Sequence, residues 1–177
     1  RLAPQIVYYV SAYCDLLSRG EDLSAGFNVV VPTGNFGNIL AAYYAEKMGV
    51  PVSRLICASN ANNVLTDFIR TGTYNKNRDF YTTISPSMDI LISSNLERML
   101  FELSGCDDKT VAALQSDLSS KGVFTVSDSV KNRLSELFWG GSCDDAETLA
   151  TIGGMLREYG YLCDTHTAVA VGVNKKY

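Results

Sequence analysis

Apolar positions along the chain switch between a helical and a strand period, and the switch points delimit its elements. Leu2, Ile6, Val7, Tyr9, Val10, Tyr13, Leu16 and Leu17 recur every three or four residues up to Gly20, the spacing of one helix face. Pro4 fits only a first turn, so this helix is expected from about residue 4. Phe27, Val29, Val30 and Val31 are apolar and rich in β-branching, which predicts a strand buried on both faces. Pro32 has no amide hydrogen for a ladder and marks the strand's end. Thr33-Gly34-Asn35-Phe36-Gly37-Asn38 is a small polar loop. From Ile39 the sequence is strongly helical, with Gly49 placed to stop it. Residues 54–59 predict a second short strand, Asn60-Ala-Asn-Asn63 a turn, and residues 64–69 a short helix ending near Gly72. Strand, helix and strand on short connections predict a right-handed βαβ unit in a parallel sheet.

Beyond Gly72 the pattern is more broken. Residues 73–79 read as a polar loop and residues 80–84 as a further strand. Ser85-Pro-Ser-Met-Asp89 then precedes an amphipathic helix with Ile90, Leu91, Leu96, Met99, Leu100 and Leu103 on its apolar stripe and Gly105 at its end. Helices are expected over residues 109–118 and 129–138, with a short apolar piece at 123–126 between them. Trp139-Gly-Gly-Ser142 reads as a loop. Asp144 with Glu147 three residues on is a capping-box pattern for a helix reaching Tyr159, stopped by Gly160. Residues 161–163 read as a last strand, and residues 164–168 turn into an apolar helix start at Val169. The chain opens without Met and already inside a helical pattern, and it reads as cut from a longer protein.

The order strand, glycine loop, helix is that of an anion site. The first amides of a helix have no partner within it, and the helix dipole adds roughly half a positive charge at that end. Glycine lets successive amides approach a phosphate without a Cβ in the way. Asn35 and Asn38 are placed to cap the helix or to donate to the same anion. No lysine follows the last glycine, so this is not the nucleotide P-loop, and the three-glycine dinucleotide spacing is also absent. The plain alternative is a capped helix start that binds nothing.

Composition narrows the class. At 177 residues, 46% hydrophobic and 19% charged, the chain has one domain's worth of core. A net charge of −4 with scattered basic residues argues against a nucleic-acid or anionic-membrane partner. No apolar run approaches the ~20 residues of a membrane span. Cys14, Cys57, Cys106, Cys143 and Cys163 are without paired spacing, so free thiols in a reducing cytoplasm are expected. With His166 the single histidine, no metal site is expected.

Four stretches, PTGNFGN, ASNANNVLTDF, SPSMDILISSNLERMLFEL and DTHTAVAVGV, together resemble threonine synthase in order and spacing, from the first helix to the last residue. The third is the most specific; glycine-asparagine phosphate loops recur across the β-family of pyridoxal-phosphate (PLP) enzymes. The resemblance implies an α/β fold of the β-family, or fold type two, with parallel sheets flanked by helices, related to the tryptophan synthase β subunit. It implies PLP as cofactor and the conversion of O-phospho-L-homoserine and water into L-threonine and phosphate. By position, Gly34, Asn35, Phe36, Gly37 and Asn38 resemble the loop around the cofactor phosphate. Asp164-Thr165-His166-Thr167-Ala168 matches the family's D-P-H-[ST]-A motif, so Thr167 resembles the hydroxyl that faces the pyridine nitrogen. Thr165 departs from the usual proline. The alternative for Thr167 is an ordinary helix N-cap, and His166 is read as structural. Ser85, Ser87 and Asp89 read first as helix capping and second as a border of the active site.

The family's Schiff-base lysine has no counterpart among Lys47, Lys76, Lys109, Lys121, Lys131, Lys175 and Lys176. Lys47 lies nine residues past Asn38, or roughly 14 Å along a helix, and reads as a solvated or dipole-pairing residue. In the family this lysine lies upstream of the matched segment. Residues 1–177 are therefore expected to be a single, incomplete PLP-binding domain, inactive alone, with homodimerisation or disorder at its exposed edges. Two other readings are another β-family enzyme, such as an amino-acid dehydratase or sulfhydrylase, and a non-catalytic phosphate-binding module.

Overall fold

The computed structural model describes residues 2–177. In chain order the elements begin with α1 (Leu2–Ser18), β1 (Phe27–Pro32), α2 (Gly37–Lys47), β2 (Val52–Ser59), α3 (Val64–Thr71) and β3 (Thr73–Asn75). A short 3-10 turn, Pro86–Met88, leads to α4 (Leu96–Leu103), α5 (Asp108–Lys121), β4 (Val123–Thr125) and α6 (Asp128–Leu137). The chain then runs through β5 (Phe138–Ser142), α7 (Asp145–Tyr159) and α8 (Thr165–Asn174).

The main sheet has three parallel strands in the order β1-β2-β5, so β2 is central. Alternation along β2 divides the core between the two faces. Leu55 and Cys57 join Val29, Val31, Leu40 and Phe68 on one side. Ile56 and Ala58 meet Val169, Ala170 and Val173 of α8 on the other. Such double coverage is the reason the strands read as continuous apolar runs. A second, antiparallel pair, β3 with β4, carries a cluster in which Phe68, Tyr74 and Phe124 pack with ring centroids 5.3–5.7 Å apart.

Four segments differ from the sequence expectation. Residues 139–142 form a strand rather than a loop. Glycine carries no hydrophobic period, but it lets neighbours close in: a Cβ on Gly140 would lie 3.1 Å from Thr66 Cα. Residues 73–75 also form a strand, with Tyr74 buried. Residues 80–84 are not a strand, because their amides bond to side chains: Tyr81 donates to Asn62 Oδ1 at 3.0 Å and Thr83 to Asp89 Oδ2 at 2.9 Å. Residues 161–163 are irregular, with Tyr161 and Leu162 exposed. The amphipathic helix is also shorter than expected. It begins at Leu96, leaving Ile90 and Leu91 in the irregular approach to it. The capping box of α7 forms as predicted, with Asp144 Oδ1 accepting from the Glu147 amide at 2.8 Å and Glu147 Oε2 from the Asp144 amide at 3.0 Å.

Candidate functional site

A cleft of about 840 Å³ opens beyond the carboxyl end of β1, within the range of about 300–1,000 Å³ common for small-molecule sites. One wall is the loop from Thr33 to Asn38. The other is formed by Ser87, by Ser94, Asn95, Glu97 and Arg98 at the start of α4, and by the first turn of α1. Thr33 anchors the loop to the sheet: its amide donates to Ala58 O at 2.8 Å and its hydroxyl to Val31 O at 2.6 Å. Beyond it, the loop carbonyls face polar partners. Ser93 Oγ donates to Gly34 O at 2.8 Å, and both the amide and the Nδ2 of Asn95 donate to Asn35 O, at 3.1 and 2.8 Å. The amides are left over. Among the described residues none of the N–H groups of residues 34–39 has an acceptor, and Leu40 is the first to bond back, to Phe36 O at 3.1 Å.

Each residue expected to hold a phosphate finds a different place in this wall. Gly34 is required by close approach, since a Cβ there would stand 2.9 Å from Ser87 O and 3.3 Å from Met88 Cα. A Cβ on Gly37 would lie 3.3 Å from Asn95 Nδ2. Phe36 occupies the N-cap position of α2 in the left-handed region, φ 61°. Its ring is buried against Phe138, 5.5 Å between centroids, so it can offer a ligand only its amide. Neither Asn35 nor Asn38 caps α2, so the first of the two roles open to them is not taken. Asn38 instead accepts from Tyr9 Oη of α1 through both its carbonyl, at 3.3 Å, and its Oδ1. That leaves the Nδ2 donors of Asn38 without a partner among the described residues. Burial pushes the Tyr9 phenol up to about 12, so it stays a donor at neutral pH.

Thr167 does not border the cleft. Asp164, not Thr167, is the N-cap of α8, accepting from the amides of His166 and Thr167 at 2.9 and 3.2 Å. The Thr167 hydroxyl also donates to Asp164 Oδ2. That hydroxyl bond, and then the amide bonds, hold the Asp164 carboxyl below its ordinary value. α8 reaches the cleft wall through His166, whose Nε2 accepts from the Ser87 amide at 3.2 Å. His166 thus ties α8 to the cleft wall. Asp89 closes the 3-10 turn with its backbone amide, but its side chain caps no helix and it does not border the cleft. Its Oδ1 accepts from Thr83 Oγ1, Asn60 Nδ2 and Asn62 Nδ2 at 2.7, 2.8 and 3.1 Å, lashing residues 83–89 to the turn after β2. Asn95 and Arg98 also border the cleft, and the sequence reading does not single them out. The signal was present: Arg98 is a cation in the first turn of a helix, where the dipole disfavours it.

Threonine synthase-like 1 of Homo sapiens is 46% identical over 172 residues, 96% of this chain and 23% of that protein. Threonine synthase of Pseudomonas aeruginosa is 42% identical over 171 residues, 97% of this chain and 35% of the enzyme. The crystal structure of PLP-bound threonine synthase from Brucella melitensis matches with a TM-score of 0.91 and 41% identity, covering 99% of this chain and 37% of that one. This chain is homologous to part of threonine synthase. No family model matches it. It spans between about a quarter and little more than a third of the length of these threonine synthase relatives. Its parallel sheet flanked by helices is the α/β arrangement of the solved threonine synthases.

Proposed function

We propose that the protein carrying this chain is a threonine synthase that uses PLP to convert O-phospho-L-homoserine and water into L-threonine and phosphate. The observation behind this reading is the row of amides from residue 34 to residue 39, without acceptors among the described residues, along a cleft of suitable size. These groups fit a phosphate: several N–H donors, a helix N-terminus and glycines that leave room. Gly34, Asn35, Phe36, Gly37 and Asn38 would hold the cofactor phosphate through their amides, helped by Asn38 Nδ2. Bound there, the cofactor supplies an electron sink for carbanion chemistry. By its place in the D-T-H-T-A motif, Thr167 would supply the hydroxyl that faces the ring nitrogen, although it does not line the cleft formed by the described residues. Being neutral, it would leave that nitrogen largely unprotonated.

The rest of the reading follows the homology. Residues 1–177 form an incomplete piece of the PLP-binding domain, and the catalytic lysine lies outside this chain. None of the lysines among the described residues borders the cleft. Lys47 sits 5.5 Å from the centre of the Tyr43 ring, and Lys176 pairs with Glu147 at 2.6 Å. No helix among the described residues is long and apolar enough to cross a membrane, and a cytoplasmic homodimer is proposed. Val7, Tyr8, Tyr161 and Leu162 are exposed and supply apolar surface for a second copy or for other parts of the protein.

The test is made with the intact protein. Incubation with PLP and O-phospho-L-homoserine should release phosphate and threonine in equal amounts, with no ammonia formed from threonine. Gly34→Ala should weaken cofactor retention about tenfold, equivalent to ~1.4 kcal/mol. Ammonia release from threonine without phosphate release would instead identify a dehydratase.

A further inference from the structure

We propose that Ser93 is a positioning residue for the loop of residues 34–38, turning the Asn35 amide into the cleft by holding the Gly34 carbonyl. The proposal deepens the threonine synthase reading and rests on it for the identity of the loop's ligand. The C=O of Gly34 and the N–H of Asn35 belong to one peptide unit. No cis bond occurs among the described residues, and in a planar trans unit the two groups point in opposite directions. Ser93 Oγ donates to Gly34 O at 2.8 Å, so the Asn35 N–H is directed away from Ser93. Asn35 lines the cleft and Ser93 does not, and the Asn35 amide has no acceptor among the described residues. One hydroxyl outside the cleft therefore sets the direction of one donor inside it. Asn95 does the same for the next peptide unit, donating to Asn35 O and so directing the Phe36 N–H. Asn95 itself borders the cleft, whereas Ser93 is buried and acts only through the loop backbone.

Ser93 is fixed in turn by Tyr74 of β3. The Tyr74 hydroxyl donates to Leu91 O at 3.0 Å and accepts from the Ser93 amide at 2.9 Å. It thereby clamps residues 91–93 where they run without regular structure into α4. The Tyr74 ring is buried, with its centroid 5.7 Å from that of Phe68 and 5.3 Å from that of Phe124. Burial pushes the Tyr74 phenol up to about 12, so it keeps its proton, and its bond to Leu91 O, at neutral pH. Helix capping does not account for the Ser93 hydroxyl, because the N-cap position of α4 is Asn95. A run of contacts thus joins the β3–β4 pair to the cleft, from the aromatic cluster through the Tyr74 hydroxyl and Ser93 to the Gly34 carbonyl and the Asn35 amide. An amide aimed before the ligand arrives needs no ordering when it binds, which raises affinity.

The test uses the intact apoprotein, titrated with PLP and with pyridoxal, which lacks the phosphate. Ser93→Ala should weaken PLP binding by about tenfold, the loss of one hydrogen bond to a charged group, and leave pyridoxal binding at the wild-type value. By phosphorus NMR, the resonance of the bound cofactor phosphate should shift in Ser93→Ala and return to its wild-type position in Ser93→Thr, which keeps the hydroxyl. Tyr74→Phe should fall between wild type and Ser93→Ala, and it carries the same comparison should Ser93→Ala not fold. Equal PLP affinity in wild type and variant, or equal losses for PLP and pyridoxal, overturns the proposal; the second result would make Ser93 a residue of the fold alone. If the wild type binds no PLP, the threonine synthase reading fails on its own. Inorganic phosphate titrated by calorimetry then decides Ser93: weaker uptake in Ser93→Ala supports its role, and unchanged uptake, or none by the wild type, overturns it.

Discussion

Phe36 shows how one residue can turn a loop and fill the core at once. Its left-handed backbone turns the loop into α2, at a cost of order 1 kcal/mol for a bulky side chain. Burial of its ring against Phe138 outweighs that, since truncating a buried aromatic costs about 3–5 kcal/mol. Phe36→Ala is therefore expected to destabilise the protein by about 3 kcal/mol in urea unfolding. If strain dominated, the same substitution would be neutral or stabilising. In sequence, Phe36 is grouped with the loop's candidate ligand residues, and its amide has no acceptor among the described residues. What could not be read from the string Gly-Asn-Phe-Gly-Asn is that the ring points into the core, because the Phe138 contact joins positions a hundred residues apart.

At the scale of elements, segments ruled by local chemistry were legible and segments ruled by partners were not. The capping box of α7, the glycine stops of α3, α5 and α7, and the apolar β1 and β2 follow from neighbours in sequence. The stretch from residue 80 to residue 90 does not. Its apolar and β-branched residues suggest a strand, yet its amides are taken by the Asn60–Asn62 turn and by Asp89. Asp89→Ala should leave the buried Asn60 and its neighbours with fewer acceptors. The expected cost is about 2–3 kcal/mol, with faster proteolysis confined to residues 80–90. Unchanged proteolysis at that segment would show that Asp89 is not what holds it.

On the scale of the whole molecule, the cleft is assembled from distant pieces. Tyr9 ties α1 to Asn38, Asn95 ties α4 to Asn35, and His166 ties α8 to Ser87. A ligand that satisfies the loop amides should therefore stabilise all three junctions. In the intact protein, PLP at about a hundred times its Kd should add roughly 2.7 kcal/mol. Differential scanning calorimetry should then read a rise in Tm of about 3 °C for a protein of the relatives' length. An unchanged Tm would mean that the cofactor does not bind the folded state. Taken alone, the sequence determined the parallel βαβ start, the glycine loop ahead of α2 and the likeness to threonine synthase, because each rests on residues adjacent in the chain. Only the tertiary structure decided that Gly140 and Gly141 lie in a strand, that Asp164 caps α8, and that Arg98 stands at the cleft. Those outcomes depend on which distant surfaces meet, and neither a glycine, a carboxylate nor an arginine carries that information in its local pattern.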